Sequence, residues 1–504
     1  MFSLTKNTPF FALLFTVLVV LSSCGGDDHA KLIPKDANVV VTIDMGTLKS
    51  KTTDFSKVMK YLQGDLDENA KKIMNSGIDI SGKAYAFGVL TENDGANLGG
   101  TIFPIEDAVK FKAFVTEEIE EFQIITEGDW NFAYAENDMK TCMGWNDKVG
   151  SLINLSKGES IDATKAKLLE ILTTSSDNSL VATSETFKSS QKKGGDLGLW
   201  LDIGSIKDVA PKVLRMSELE TINDEIDLSN TYASAQLNFE EGQVVFESQF
   251  IASEELKKLI QGTIRSGVNS DVADEIPGEG ALAFYGLAID MPRLVEELKA
   301  KELDQYIDQT LGMATLSTDD LPNILTGDVL ATVNGINLKE NRWGGKDPVP
   351  DFSAAIGIKD KKRIEGLMDF AIHLEMGLTQ EDGYYAFDEM KIFVRDNAVV
   401  IAGMSDFGDR VKAGEVGKFS SEHNSIVTSN GMSIVLDLSS GIPSALKENA
   451  GPFQKQLAEF EKIEITSNLN GGDTEMKAVL TLKTKDENSI SVLSRMGKEM
   501  EESM

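Results

Sequence analysis

Three histidines and two cysteines are all the imidazole and thiol chemistry in this chain of 504 residues. His29, His373 and His423 stand far apart. No H-E-x-x-H, no histidine pair at metal spacing and no cysteine ligand set accompanies them, so no metal site is expected. A Ser-His-Asp arrangement needs only one histidine, but no G-x-S-x-G turn is present to expose a nucleophilic serine. His373 falls in a helical pattern (DFAIHLEMG), His423 in a polar loop and His29 in a short N-terminal tether. Phosphate-binding G-x-x-x-x-G-K-[ST] and dinucleotide-binding G-x-G-x-x-G are both missing, and NSGIDISGK, Asn75 to Lys83, is read as neither. No catalytic residue and no cofactor is assigned.

The 81 Asp and Glu are too many for sequence proximity to single out an acid–base pair, because such pairs are defined by separation in space. TENDGAN (Thr91 to Asn97) and STDDLPN (Ser317 to Asn323) offer oxygens that suit calcium, but neither completes the twelve-residue EF-hand loop. Both are read as surface hairpin turns. The candidate binding loop is INLKENRWGGKDPVP, Ile336 to Pro350, which sets Arg342, Trp343 and Lys346 in an otherwise acidic chain. Loops carry recognition, and tryptophan is enriched at binding hot spots.

The elements that must position these residues announce themselves by repetition. VVVTIDMGTL from Val39, LWLDIGSI from Leu199, LAIDMPRL from Leu287 and SIVLDLSS from Ser433 each run from apolar residues into an aspartate. Each run reads as a core strand. Asp44, Asp202, Asp290 and Asp437 then stand as helix caps, whose carboxylates accept the unpaired N–H groups of the first turn. The alternative is four carboxylates converging on one cation. Their separation by whole structural units argues against it.

Further landmarks recur in the same order. LIPKDANVVVTIDMGTL from Leu32 parallels EIPGEGALAFYGLAIDMPRL from Glu275, and NFAYAENDMKTCMGW parallels GYYAFDEMKIFVRDN. In GQVVFESQF side chains alternate with period two, while Glu240-Glu241-Gly242 and Asn470-Gly471-Gly472 are tight turns between antiparallel strands. Ala108 to Phe122 reads as one amphipathic helix. The expected architecture is α+β: two tandem copies of a unit in which an antiparallel or mixed sheet is covered by helices on one face. The copies are placed at residues 32–270 and 271–504, after a signal peptide (1–23) and an acidic flexible tether (24–31).

Lys6 followed by the apolar run Phe10 to Val20 has the make-up of a secretory signal peptide, too short to span a bilayer, which takes about 20 residues. The run ends in Leu21, Ser22, Ser23 and Cys24, which resemble the lipobox of bacterial lipoproteins. That resemblance implies cleavage before Cys24 and acylation of its sulfur. The following Gly25-Gly26-Asp27-Asp28 resembles the signal that sends lipoproteins of Bacteroidetes-type bacteria to the outer face of the outer membrane. Cys142, in the strand-like TCMGW, is then left without a disulfide partner and is expected to be packed and inert. With 49 basic residues the net charge is −32, which excludes a nucleic-acid footprint and disfavours lying flat on anionic lipid.

Ile33, Pro34, Lys35, Asp36 and Ala37, with the strand that follows to Asp44, resemble an uncharacterised lipoprotein family of Bacteroidetes-type bacteria, domain of unknown function 4836. The resemblance implies an address and a build, with no activity, cofactor or catalytic residue to carry over. The expected function is an outer-membrane lipoprotein, surface-exposed, acting as a non-catalytic binding or envelope-structural module for a protein or glycan partner. Such a module is expected to lack a clustered polar pocket and to bind through a sheet face or long loop. The alternatives are an envelope hydrolase, which needs a histidine or carboxylate pair converging in a cleft, and a carrier for lipid or outer-membrane cargo.

Overall fold

The computed structural model describes residues 28–52, 72, 74–91, 95–119, 121–135, 138–158, 160–206, 228–260, 263–300, 302–340, 346–403, 406–439, 454–470 and 473–503. The chain divides into two compact units. One comprises Met1–Ser253 together with Thr484–Met504, the other Glu254–Lys483. Helices and antiparallel sheet make both of them α+β.

The first unit is built on ten described strands: β1 (Val39–Asp44), β2 (Lys83–Thr91), β3 (Gly95–Pro104), β4 (Phe122–Glu127), β5 (Trp130–Ala135), β6 (Thr141–Trp145), β7 (Val149–Leu155), β8 (Leu197–Asp202), β9 (Tyr232–Glu240) and β10 (Gln243–Ile251). They pair in the order β10-β9-β8-β1-β2-β3-β7-β6-β5-β4, every pair antiparallel. Short turns join β4 to β5 and β9 to β10, as the alternating runs around Gly128 and Gly242 require.

The second unit holds β11 (Ala283–Ala288), β12 (Leu325–Glu340), β13 (Lys346–Ile358), β14 (Leu378–Glu381), β15 (Tyr384–Phe387), β16 (Met390–Val394), β17 (Ala398–Gly403), β18 (Met432–Asp437), β19 (Phe460–Asn470) and β20 (Asp473–Leu482). Their order is β20-β19-β18-β11-β12-β13-β17-β16-β15-β14, again antiparallel throughout.

Helices on one face is an expectation that must be corrected. In the first unit, neighbouring residues of one strand enter two different cores. Met143 and Trp145 of β6 pack with Phe111 and Val115 from the helix Ala108–Glu118, and with Ile490 from the helix Ser489–Ser503. Cys142, next to Met143 and on the opposite side of the pleat, packs with Leu168, Ile171 and Leu172 of the helix Ile161–Leu172. All five residues of β6 are buried. A strand covered on both faces needs apolar residues at every position, so it loses the alternation that marks a half-exposed strand. The second unit repeats the arrangement, with Phe393 and Val400 in one core and Ile392 and Val399 in another.

Two boundaries also differ from expectation. The helix from Ala108 ends at Glu118, and Phe122 opens β4 instead of closing that helix. The β-branched residues of FQIITE favour extended backbone over a further helical turn. The stretch expected to be a flexible tether ends in a 3-10 helix, Asp28–Leu32, in which Ala30 is 1% exposed.

The pairing of β3 with β7 sets Gly150 directly opposite Phe103, and an added Cβ at Gly150 would lie 2.3 Å from that fully buried ring. At Gly88 of β2, by contrast, a Cβ would meet only Val39, at 3.8 Å. Gly150→Ala is expected to destabilise the protein by about 1–3 kcal/mol through overpacking. Gly88→Ala should be neutral or stabilising by roughly 0.5 kcal/mol, because alanine loses less backbone entropy on folding. Urea denaturation of the two variants checks the contrast.

Candidate functional site

The four aspartates fall into two pairs, and the pairing separates them. In the first unit β1 and β8 are antiparallel neighbours with Val39 opposite Leu201 and Ile43 opposite Leu197, so Asp44 and Asp202 sit at opposite ends. In the second unit β11 and β18 are related in the same way, with Ala283 opposite Leu436 and Leu287 opposite Met432, which separates Asp290 from Asp437. Each carboxylate has local work. Asp44 accepts from the Thr47 N–H at 3.0 Å, Asp202 from the Ser205 N–H at 3.1 Å and Asp290 from the Arg293 N–H at 3.0 Å. Asp437 accepts from the Ser439 N–H at 2.9 Å. Among the described residues no three His, Cys, Asp or Glu side chains are grouped to hold a metal ion.

At the Asp202 end of β1 and β8 the first unit opens into a cleft of about 520 Å³, within the size range of small-molecule sites. Its walls are Lys35 to Asn38 before β1, Thr183 to Thr186 at the start of the helix Glu185–Lys193, Trp200, Asp202 and Ser205, and Tyr232 of β9. The floor is aromatic. The Trp200 and Tyr232 rings stack with centroids 5.9 Å apart, Phe187 meets Trp200 edge-on at 5.5 Å, and the Trp200 indole N–H donates to the Thr186 hydroxyl at 3.3 Å. Burial and the charge of Asp202 push the Tyr232 phenol upward, so it stays a neutral donor. Among the described residues the rim bears Asp36, Glu185 and Asp202 against one cation, Lys35, which disfavours an anionic ligand. No histidine or cysteine among the described residues lines the cleft. Such a cleft runs against the expectation that a binding module would lack a clustered polar pocket.

The far end of the same strands holds a charge that sequence reasoning missed. Asp196, 1% exposed, receives the Thr47 hydroxyl at 2.7 Å, the Lys51 ammonium at 2.7 and 2.8 Å, and the Phe239 N–H at 2.6 Å. In the second unit the fully buried Asp328 pairs with Arg265 and accepts from the Asn269 N–H at 3.1 Å. Each aspartate follows a glycine just ahead of or inside an apolar strand, a signal too common to have been picked out.

The sequence-predicted residues do not converge. His423 lies in the helix Ser421–Ser429, a correction to its placement in a polar loop, and is 8% exposed. Its Nε2 stands 3.2 Å from Asp437 Oδ2, and its ring packs on Phe284 and Phe419. His373 ends the helix Lys361–His373, where a cation would complement the helix dipole, and His29 lies in the short 3-10 helix. Cys142 is fully buried, and burial pushes its thiol up to about 12. STDDLPN is no hairpin turn: Ser317 and Asp320 form a reciprocal capping box at a helical start. Gly77 to Lys83 leads into β2 and not into a helix, so it has no N-terminal amides to cradle phosphate. Of the candidate loop, Ile336–Glu340 and Lys346–Pro350 are the paired ends of β12 and β13. Arg342, Trp343, the lipobox Leu21 to Ser23 and Cys24 lie outside the described residues.

Residues 29–395 match the family described as Domain of unknown function (DUF4836). No curated protein matches. Among solved structures, crystal forms III, IV and I of a protein designated TP0453 are similar at 10% identity. They cover 48%, 44% and 46% of this chain and 88%, 80% and 81% of their own, with TM-scores of 0.30, 0.28 and 0.28.

Asp437 generates a pH prediction. Burial pushes its carboxyl upward, but the hydroxyl and amide of Ser439 and the His423 imidazole outweigh burial and hold it below the usual value. A folded-state value below the unfolded one gives stability that is present above the unfolded pKa and lost as pH falls through the folded one. Asp437→Ala is therefore expected to cost about 1 kcal/mol at pH 7. The gap between variant and wild type in urea denaturation should narrow as pH falls below the ordinary aspartate range and close once it has passed through the lowered value.

Proposed function

The chain belongs to the DUF4836 family, whose description names no activity; from its site we propose a lipid-anchored, surface-exposed outer-membrane protein that binds and does not catalyse. The observation that carries this reading is the cleft beside Trp200 and Tyr232. Its groups are those of recognition, with a stacked aromatic pair below and hydroxyls and carboxylates around it. A hydrolytic serine needs a base held against it and that base oriented by a third group. Ser205 instead donates to Asp202 at 2.7 Å, within a helix cap and with no imidazole between. The buried His423–Asp437 pair stands in the other unit, with its ring against phenylalanines.

The half-buried Tyr232 ring is backed by the buried Trp200, with hydroxyl and carboxylate acceptors around it. This surface suits a neutral polyhydroxy ligand, a glycan fragment, whose C–H face packs on that ring and whose hydroxyls donate. The lipobox resemblance at Cys24 supplies the anchor, since several acyl chains at about 0.8 kcal/mol per buried methylene hold a protein on a bilayer. We also infer one ancestral unit used twice. Its support is the shared strand order, in which each strand of the second unit takes the place of the strand ten earlier.

Two outcomes are expected. Neutral oligosaccharides should bind the purified protein in calorimetry, anionic ones should not, and Asp36→Ala should weaken binding about fivefold, the loss of one charged hydrogen bond at an exposed rim. Release of cleaved sugar would replace this reading with the hydrolase. In cells, the wild type should partition into detergent and be shaved by external protease, whereas Cys24→Ser should leave the lipid phase. Protection from protease in intact cells would move the protein to the periplasmic face.

A further inference from the structure

We infer that the end of the first unit carrying Ile33–Asn38 and the cleft mouth rests against the headgroup layer of the bilayer, with the β9–β10 turn pointing away. The inference rests on the anchoring at Cys24 proposed above and adds an orientation to it.

The reason is the length of chain between the acylated sulfur and the folded body. Only Gly25, Gly26 and Asp27 separate Cys24 from Asp28, where the 3-10 helix begins. Four peptide steps reach about 14 Å at full extension, while the headgroup layer takes up roughly 5–7 Å of that. From there the chain is fixed. Ala30 and Ile33 are buried in the core, and the Leu180 N–H donates to the Ile33 carbonyl at 2.9 Å. Pro34 bridges to Ser179, and the Asn38 side chain clamps both the N–H and the carbonyl of Leu90, at 2.9 and 2.8 Å. Lys35 and Asp36, exposed at the cleft rim, therefore cannot swing far from the membrane.

Tether length fixes one end of the first unit, and charge holds the rest of it off the surface. The chain carries a net charge of −32 and is repelled from anionic lipid, so the parts of the first unit that the tether does not pin are kept away from the headgroups. Tyr232 opens β9 beside Asp202 and Glu240 ends it, so the Glu240–Gln243 turn lies about 26 Å further along the strands. Ligands that reach the cleft would then be those displayed at a membrane surface.

The full-length acylated protein, reconstituted in phosphatidylcholine–phosphatidylglycerol vesicles carrying a headgroup nitroxide, tests this with a fluorophore on Lys35→Cys or Glu241→Cys. Both positions are exposed, and the buried Cys142 will not label. Most of the fluorescence should be lost at position 35 and nearly all retained at 241. A flexible insert of about 20 residues between Asp27 and Asp28, adding roughly 25 Å of reach, should abolish quenching at 35 without changing flotation. Equal quenching at both positions, or none at 35 in a protein that floats with the vesicles, overturns the orientation. A protein that does not float overturns the anchoring itself, and the orientation with it.

Discussion

The antiparallel pairing of β1 with β8 decides most of what the first unit can do. Because the two strands run in opposite directions, each ends in an aspartate at a different edge of the sheet, and the two edges acquire different characters. At one, Asp44 meets the buried ion pair of Asp196 and Lys51. At the other, the Asp202 N–H donates to the Asn38 carbonyl, and the chain around it spreads into a cleft. One edge is closed by charge pairing and the other stays open. The same pairing of β11 with β18 governs the second unit, where the Asp328 pair lies after the β11 end and His423 packs beside Asp437.

The closed edges are instructive about buried charge. Removing a carboxylate from water costs several kcal/mol, recovered only when its lone pairs are filled. Asp196 meets that condition with four bonds from three residues, two of them backbone-fixed or β-hydroxyl donors. Asp328 meets it less fully, for its Oδ2 has no hydrogen-bond partner among the described residues. Lys391, 4% exposed, follows a third solution: its ammonium reaches out to the exposed Asp409 and lies over the Tyr384 ring at 5.5 Å. None of these groups borders the cleft. Their work is to fix the register of strands and flanking turns, and a chemical role for them would need solvent access they lack.

What could be read from the sequence was what depends on neighbours along the chain. Strands ending in aspartate, the tight turns and the packed Cys142 rest on local propensity and on alternation, and the α+β class followed from them. What escaped depends on partners distant in sequence. Covering a sheet on both sides erases alternation in TCMGW, so the second helical layer left no periodic trace. His423 looked solvated because its neighbours Ser420, Ser421, Glu422 and Asn424 are polar, yet Ser420 caps the helix and turns the imidazole inward. The cleft was invisible for the same reason. Its walls come from segments near residues 36, 185, 202 and 232, and only the sheet order brings them together.

The acidic surplus then acquires a partly structural meaning. Asp107 and Asp360 cap helices, as Asp44 does, and Asp308 accepts from the hydroxyl and amide of Thr318. Hydrogen bonds to backbone and hydroxyl donors hold Asp107, Asp308 and Asp320 below the ordinary aspartate range. Two effects of acid therefore oppose one another in order. As pH falls from neutral, any loss of negative charge eases the repulsion within a chain of net charge −32. Asp107, Asp308 and Asp320 are still ionised in that interval, so the bonds they accept remain intact while the net charge drops. Only when the pH passes through their lowered values are these bonds lost, because stability from a depressed carboxylate is present above its unfolded pKa and vanishes below the folded one. The same residue type thus loosens the molecule where it is merely exposed and secures it where a backbone N–H is waiting.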